Sequence, residues 1–329
     1  GGIFAMYTRS IKRAHFELTN RCNASCPSCL RTGPNTKRQL SGHMVQAGWH
    51  DISLQDVKEI HSHLPDLERV QLCGNFGDPA AARDFVKIVH YFIDNNIKVE
   101  ISTNGGLRTP KMWASMARKG VLALFAIDGD EDTNHIYRVG TRFNRIMENA
   151  KAFIDAGGIA NWIYIPFAHN EHVIDKCAKL ASDMGFSSFE VKKTYRVGNN
   201  NPGHGPEIKL PSKKYMNEVV HKNTESPIRC KVKETDEIYV AADGDISPCC
   251  WVGCQLWIKK YSPSTIEYDA ALASYYIDFD HSFRTNSLTS IVNSYVQKGE
   301  IYELSWDYRK IPVCNKNCGN NKWLDRYLK

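Results

Sequence analysis

The reading of this chain turns on Ala14-His15-Phe16-Glu17-Leu18-Thr19-Asn20-Arg21-Cys22-Asn23-Ala24-Ser25-Cys26-Pro27-Ser28-Cys29. Residues 14–19 alternate apolar with polar and read as a strand, so the cysteine-bearing loop leaves the strand's C-terminal end. Cys22, Cys26 and Cys29 stand in the spacing C-x3-C-x2-C, close enough for a tight turn to converge all three thiols on one inorganic centre. Three is an informative number. Structural zinc takes four protein ligands and closes its shell, whereas a cube of four irons held by three thiolates keeps one iron free for another ligand.

Outward from this loop, strands alternate regularly with helices. Leu54 to Leu64 has helical spacing, and Val70-Gln71-Leu72-Cys73 is a second strand, followed at once by Gly74-Asn75-Phe76-Gly77-Asp78-Pro79. Glycines there let the backbone approach a ligand closely, and the Asp78 carboxylate can accept from an ammonium, although Gly-Asp-Pro is also a common turn. Cys73 reads as a buried strand residue. A helix over Ala80–Asn95, a strand over Lys98–Thr103 ending in Asn104-Gly105-Gly106, a helix over Pro110–Lys119 and a strand over Val121–Ile127 ending in Asp128-Gly129 follow. A helix from about Arg142 closes at Gly157-Gly158; a strand Ile159–Pro166, a helix Asn170–Met184 and a strand Phe186–Val191 complete six units. Such alternation predicts a parallel sheet, and the lack of a dinucleotide Gly-x-Gly-x-x-Gly argues against a Rossmann domain.

The cysteine loop resembles the signature of the radical S-adenosylmethionine (radical SAM) superfamily. That resemblance implies a partial (β/α)6 TIM-like barrel, with Cys22, Cys26 and Cys29 holding a [4Fe–4S] cluster whose free iron binds the amino and carboxylate groups of SAM. An electron from the cluster then cleaves SAM to a 5'-deoxyadenosyl radical, the electron coming from an external donor such as flavodoxin or ferredoxin. Gly77-Asp78-Pro79 resembles the family's SAM amino-group motif, usually Gly-Gly-Glu-Pro, with Asp78 in place of the glutamate. Asp128-Gly129 resembles Ser-x-Asp-Gly at the end of the fourth strand, with Ala126 in the serine position, which puts Asp128 near the ribose. Arg138, before Val139-Gly140, matches an arginine that pairs with the SAM carboxylate; a surface arginine is the alternative. Ser28 departs from the pattern, since an aromatic residue usually precedes the third cysteine. The sequence assigns no residue to acid–base catalysis.

A turn-rich stretch from Arg196 to Pro211 marks the best boundary, giving a core over residues 1–195, a linker or lid over 196–224 and a cysteine-rich segment over 225–329. His204 there is loop polarity or a substrate contact. Ile238–Ala242 and Ile246-Ser247 flank Asp243-Gly244-Asp245 as a hairpin, which would bring Cys249 back toward Cys230. By residue type alone, Cys230, Cys249, Cys314 and Cys318 suit zinc as well as iron and sulfur. Cys230-x13-Gly244-x4-Cys249 resembles the opening of SPASM and twitch domains, which implies a small C-terminal α+β domain where those four cysteines hold an auxiliary [4Fe–4S] cluster. Cys250 and Cys254 are a spare pair, either buried thiols or replacements for one ligand. Helices are expected near Ile266–Tyr276 and Leu288–Gln297.

The totals exclude other classes. The chain has 329 residues, 42% of them hydrophobic and 24% charged, with a net charge of +6 and no basic run, so it is globular and nothing in it demands nucleic acid. No window reaches the roughly 18 apolar residues of a membrane span, and residues 1–10 lack a signal peptide's apolar core, so a cytoplasmic protein is expected. Eleven cysteines, an odd number, cannot all pair internally, and a reducing compartment favours metal ligation. The expected activity is hydrogen-atom abstraction leading to substrate oxidation or bond formation, on a peptide or a small molecule. An epimerase or ring-rearranging enzyme acting on a sugar or nucleotide is the enzymatic alternative, and a zinc-binding, nucleic-acid-binding protein the non-enzymatic one.

Overall fold

The computed structural model describes residues 11–32, 40–193, 208–216, 230–262 and 280–294, together with Cys314 and Cys318. The strands are β1 (Arg13–Phe16), β2 (Arg69–Leu72), β3 (Lys98–Thr103), β4 (Val121–Ala126), β5 (Ile159–Tyr164), β6 (Ser188–Val191), β7 (Glu237–Val240) and β8 (Ile246–Ser247). The helices are α1 (Gly42–Ala47), α2 (Leu54–Ser62), α3 (Phe85–Asp94), α4 (Pro110–Met116), α5 (Asn134–Tyr137), α6 (Phe143–Asp155), α7 (Ile174–Met184), α8 (Lys231–Thr235) and α9 (Cys250–Tyr261). The strands form one open sheet in the order β6-β5-β4-β3-β2-β1-β7-β8. The pairs β3–β4, β4–β5, β5–β6 and β1–β7 run parallel, and β7–β8 is antiparallel. This is the parallel-dominated α/β architecture of a partial barrel.

Local sequence explains where the helices start and stop. Ser53 and Asp56 form a reciprocal capping box at the head of α2, and Thr109 caps α4 with Pro110 in its first turn. Gly185 closes α7 in the left-handed conformation that glycine adopts freely. The helix expected over 80–95 is broken: Pro79–Ala81 is a 3₁₀ turn capped by Asp78, and α3 begins only at Phe85. From there Phe85, Ile88, Val89 and Phe92 are buried at the spacing of one helix face. The helix expected over 170–184 likewise opens with a 3₁₀ turn, Glu171–Val173, ahead of α7.

Clustering divides the chain into two units, one of residues 1–17, 52–70 and 221–329, the other of residues 18–51 and 71–220. In the second, Trp113, Phe125 and Phe153 meet with ring centroids 5.2 to 6.4 Å apart, and Phe125 also meets Phe186 at 6.0 Å. Each buried ring of this kind contributes roughly 2 kcal/mol by removal from water. In the first unit, β7 lies parallel beside β1 in the register Arg13↔Glu237 to Phe16↔Val240, and the hairpin turns at Gly244 with φ of 96°. Lys231 and Glu237, both almost wholly buried, pair at 2.6 Å, and the Tyr239 hydroxyl donates to the buried Glu17 carboxylate.

His204, most of the expected linker and the helix expected near 266–276 lie outside the described residues. No helix among the described residues is long and apolar enough to cross a membrane.

Candidate active site

The cysteine loop is fastened at several points. The Asn20 side chain donates to Gly48 O at 2.7 Å and accepts from His50 N at 2.9 Å, while Asp78 N donates to Arg21 O at 2.8 Å. Ser25 N donates to Val139 O at 2.8 Å, and the Arg31 guanidinium donates to Ala24 O. Inside the loop, Cys29 N reaches Cys26 O at 3.0 Å and Thr32 N reaches Cys29 O at 2.9 Å, so two successive turns carry Cys26 and Cys29. Ala24, Cys26, Tyr137, Phe167 and Ile208 form one buried apolar cluster, against which Cys22, Cys29, Ile165 and Leu210 pack.

Burial pushes the Cys22 thiol up to about 12, the neighbouring Asp78 and Cys26 adding to it. Burial also lifts Cys26 to about 11, although the Arg138 guanidinium pulls the other way. Such thiols stay protonated at neutral pH unless a metal takes the proton's place, which is what coordination to iron does. Donors already face the sulfurs: Ala24 N lies 3.3 Å and Asn104 Nδ2 3.6 Å from Cys22 Sγ, and Arg138 Nη1 lies 3.8 Å from Cys26 Sγ. Among the described residues, no three Cys, His, Asp or Glu side chains gather tightly enough to hold a single metal ion. Around one zinc, bonds of about 2.3 Å would place sulfurs roughly 3.8 Å apart, whereas a cube carries its thiolates on separate irons. By donor type, number and surroundings, the three thiols fit a [4Fe–4S] cluster.

The residues expected around SAM lie in the same unit and are bonded within it. The Asp78 carboxylate is buried and accepts from Ala80 N at 3.0 Å, from Thr103 Oγ1 at 2.9 and 3.0 Å and from Asn104 N at 2.8 Å. Burial raises its pKa, against these bonds. Gly77 is a point of close backbone approach, since a Cβ there would stand 1.8 Å from Thr19 O. Asp128 and Arg138 are joined: Arg138 Nε donates to Asp128 Oδ2 at 2.6 Å, and Asp128 Oδ1 accepts from Ile165 N at 2.7 Å. Burial works against the Arg138 charge, but Asp128 and the Cys26 sulfur more than restore it and raise the guanidinium's pKa.

Three asparagines organise the site that motif reading passed over. Asn134 Oδ1 accepts from Asp128 N at 2.9 Å, and Asn170 Nδ2 donates to Asp128 O at 2.8 Å and to Ile165 O at 3.0 Å. Asn104 connects the end of β3 to the cysteine loop through Asn23 Oδ1 at 2.9 Å. The available signal was position, since Asn104 directly follows β3, and Asn134 and Asn170 lie in the connections after β4 and β5.

Asp128→Ala is expected to destabilise the protein by about 3–5 kcal/mol, because it leaves the Arg138 charge buried without its counter-ion. Urea denaturation measures this. Adding Arg138→Leu should recover most of the loss, and no recovery would assign the cost to the lost bond from Ile165 N instead.

In the other unit, Cys230 stands just before α8 and Cys249 just before α9, whose first two turns carry Cys250 and Cys254. Burial pushes the Cys249 thiol up to about 12, with the Cys230 and Cys318 sulfurs close enough to add to it. Cys314 and Cys318 are both helical. Burial and the Glu17 carboxylate raise the Tyr239 hydroxyl's pKa, with Cys250 and Cys254 near enough to add to it.

An open, mainly parallel sheet with three cysteines packed around one apolar cluster in the loop after its first strand defines the class of protein. The chain belongs to the radical SAM superfamily, whose family model matches residues 16–181. It is similar to the AdoMet-dependent heme synthase of Methanosarcina barkeri, 28% identical over 186 residues, covering 54% of this chain and 48% of that protein. Mycofactocin maturase MftC of Mycolicibacterium smegmatis is 28% identical over 178 residues, covering 52% of this chain and 41% of that protein. The matches thus span less than half the length of these curated relatives. In fold the chain resembles Streptococcus suis SuiB, solved bound to S-adenosylmethionine, with a TM-score of 0.54, 14% identity and coverage of 86% of this chain and 65% of that one.

Proposed function

We propose that this chain reductively cleaves SAM at a cluster held by Cys22, Cys26 and Cys29, and directs hydrogen-atom abstraction from a substrate toward oxidation or bond formation. When bound, that cluster supplies the electron that turns SAM into methionine and the 5'-deoxyadenosyl radical. The protein's own residues bind, orient and exclude water. Tyr137, Phe167, Ile165 and Ile208 keep the thiols in apolar surroundings, Arg138 is held ready for a carboxylate, and Gly77 and Asp78 shape the turn expected at SAM's amino group. The observation that carries the reading is one buried thiol, Cys26, and two partly buried ones, Cys22 and Cys29, around one apolar cluster in a loop pinned by contacts with Gly48, Asp78 and Val139.

A second cluster on Cys230, Cys249, Cys314 and Cys318 belongs to the same reading, supported by the approach of Cys230, Cys249 and Cys318. A peptide is the favoured substrate class. It is supported by the likeness to a maturase in sequence and by the fold shared with SuiB, which has also been solved bound to the precursor peptide SuiA.

Protein reconstituted without oxygen is expected to hold about eight irons per chain, two clusters' worth, and to release 5'-deoxyadenosine from SAM under strong reductant. Four irons would remove the second cluster. No 5'-deoxyadenosine would remove the whole reading.

A further inference from the structure

We infer that Asn104 is a positioning residue that sets the reduction potential of the N-terminal cluster through its amide N–H to Cys22; this rests on the ligand assignment proposed above. The amide's orientation is fixed by chemistry. Asn104 Oδ1 accepts from Gly106 N at 2.8 Å, so the oxygen must face Gly106 and the NH₂ group must face the cysteine loop. That NH₂ group has two hydrogens and two acceptors, Asn23 Oδ1 at 2.9 Å and Cys22 Sγ at 3.6 Å. The backbone N–H of Asn104 is held in turn by Asp78 Oδ2 at 2.8 Å, and the residue is only 4% exposed. The donor is therefore aimed at the sulfur before any metal binds.

A hydrogen bond to a ligating sulfur stabilises the more negative, reduced form of a cluster more than the oxidised form, and so raises its potential. In a buried, apolar site this effect is strengthened, because little solvent screens it. The three thiols are served unequally. Cys22 has a backbone and a side-chain donor, and Cys26 has the Arg138 guanidinium, whose charge Asp128 balances. Asn104 is thus a neutral side-chain donor whose removal changes no charge.

Asn104→Asp keeps the shape and the acceptor for Gly106 N but turns an oxygen toward Cys22, and Asn104→Ala removes the donor without adding charge. The measurement is a redox titration of the cluster's EPR signal, followed through the component that changes on adding SAM, with iron counted in each sample. In Asn104→Asp the reduced-to-oxidised ratio at a fixed solution potential is expected to fall at least tenfold, a shift of about 59 mV for a one-electron couple. Asn104→Ala should shift it in the same direction by less, and both should retain the iron of the unsubstituted protein. An unchanged midpoint with iron retained, or loss of the N-terminal cluster's iron from both variants, overturns the inference. A SAM-responsive signal absent already from the unsubstituted protein would instead sink the ligand assignment.

Discussion

Cys26→Ala should reduce 5'-deoxyadenosine formation by more than the roughly 10–100-fold that the loss of an outer-shell partner costs a metal site, down to the level of protein lacking the cluster. The size follows from ligand number. Cys26 is the most deeply buried of the three thiols and faces Arg138, and two remaining thiolates leave two irons of a cube without protein ligands. The iron content of reconstituted protein should drop from about eight to about four per chain, the second cluster being untouched. Folding should survive, because removing one sulfur from a packed site costs about 1–2 kcal/mol. Cys177 provides the control. It is fully buried in α7, so Cys177→Ala makes a comparable cavity and should leave both iron and SAM cleavage intact. Full cleavage by Cys26→Ala would refute its role as a ligand.

Gly77→Ala carries the second large effect, and it acts through the backbone. The added Cβ would sit 1.8 Å from Thr19 O, 2.7 Å from Thr19 C and 3.0 Å from Arg21 O. No rotamer change relieves this, for the colliding atoms are main chain, and Arg21 O is also the acceptor of the Asp78 N–H at 2.8 Å. Either the turn or the root of the cysteine loop must move. A cost of about 3 kcal/mol or more is expected, which lowers Tm by about 4 °C or more in a chain of 329 residues. Calorimetry measures the first consequence and iron retention the second. A thermal midpoint within 2 °C of the unsubstituted protein, on the order of the smallest shift meaningful here, would show that the close approach of Gly77 to Thr19 is not required.

Much of this was legible beforehand because the relevant signals are local. The strand over 98–103 was read residue for residue, since its alternation and its Asn-Gly-Gly end are complete within the segment. The break of the helix expected over 80–95 was not, because Asp78 prefers to cap Ala80 N while binding Thr103, a residue distant in sequence. Pro79 read as punctuation, but the partner that makes it a 3₁₀ turn lies on another strand. The same holds for Asn104 and Asn170, whose spacing carries no periodicity and whose partners Asn23 and Asp128 become neighbours only when strand ends come together.

From the order of its residues alone, the chain determined three thiols in one loop, a run of alternating strands and helices, and a hairpin at Asp243-Gly244-Asp245, because spacing, hydrophobic period and turn chemistry act between near neighbours. Tertiary structure decided the rest. It joined Arg138 to Asp128, buried the Asp78 carboxylate among Thr103, Asn104 and Ala80, and laid β7 beside β1. These pairings are settled by where each buried charge or strand edge finds a partner, and a linear pattern holds no record of that choice.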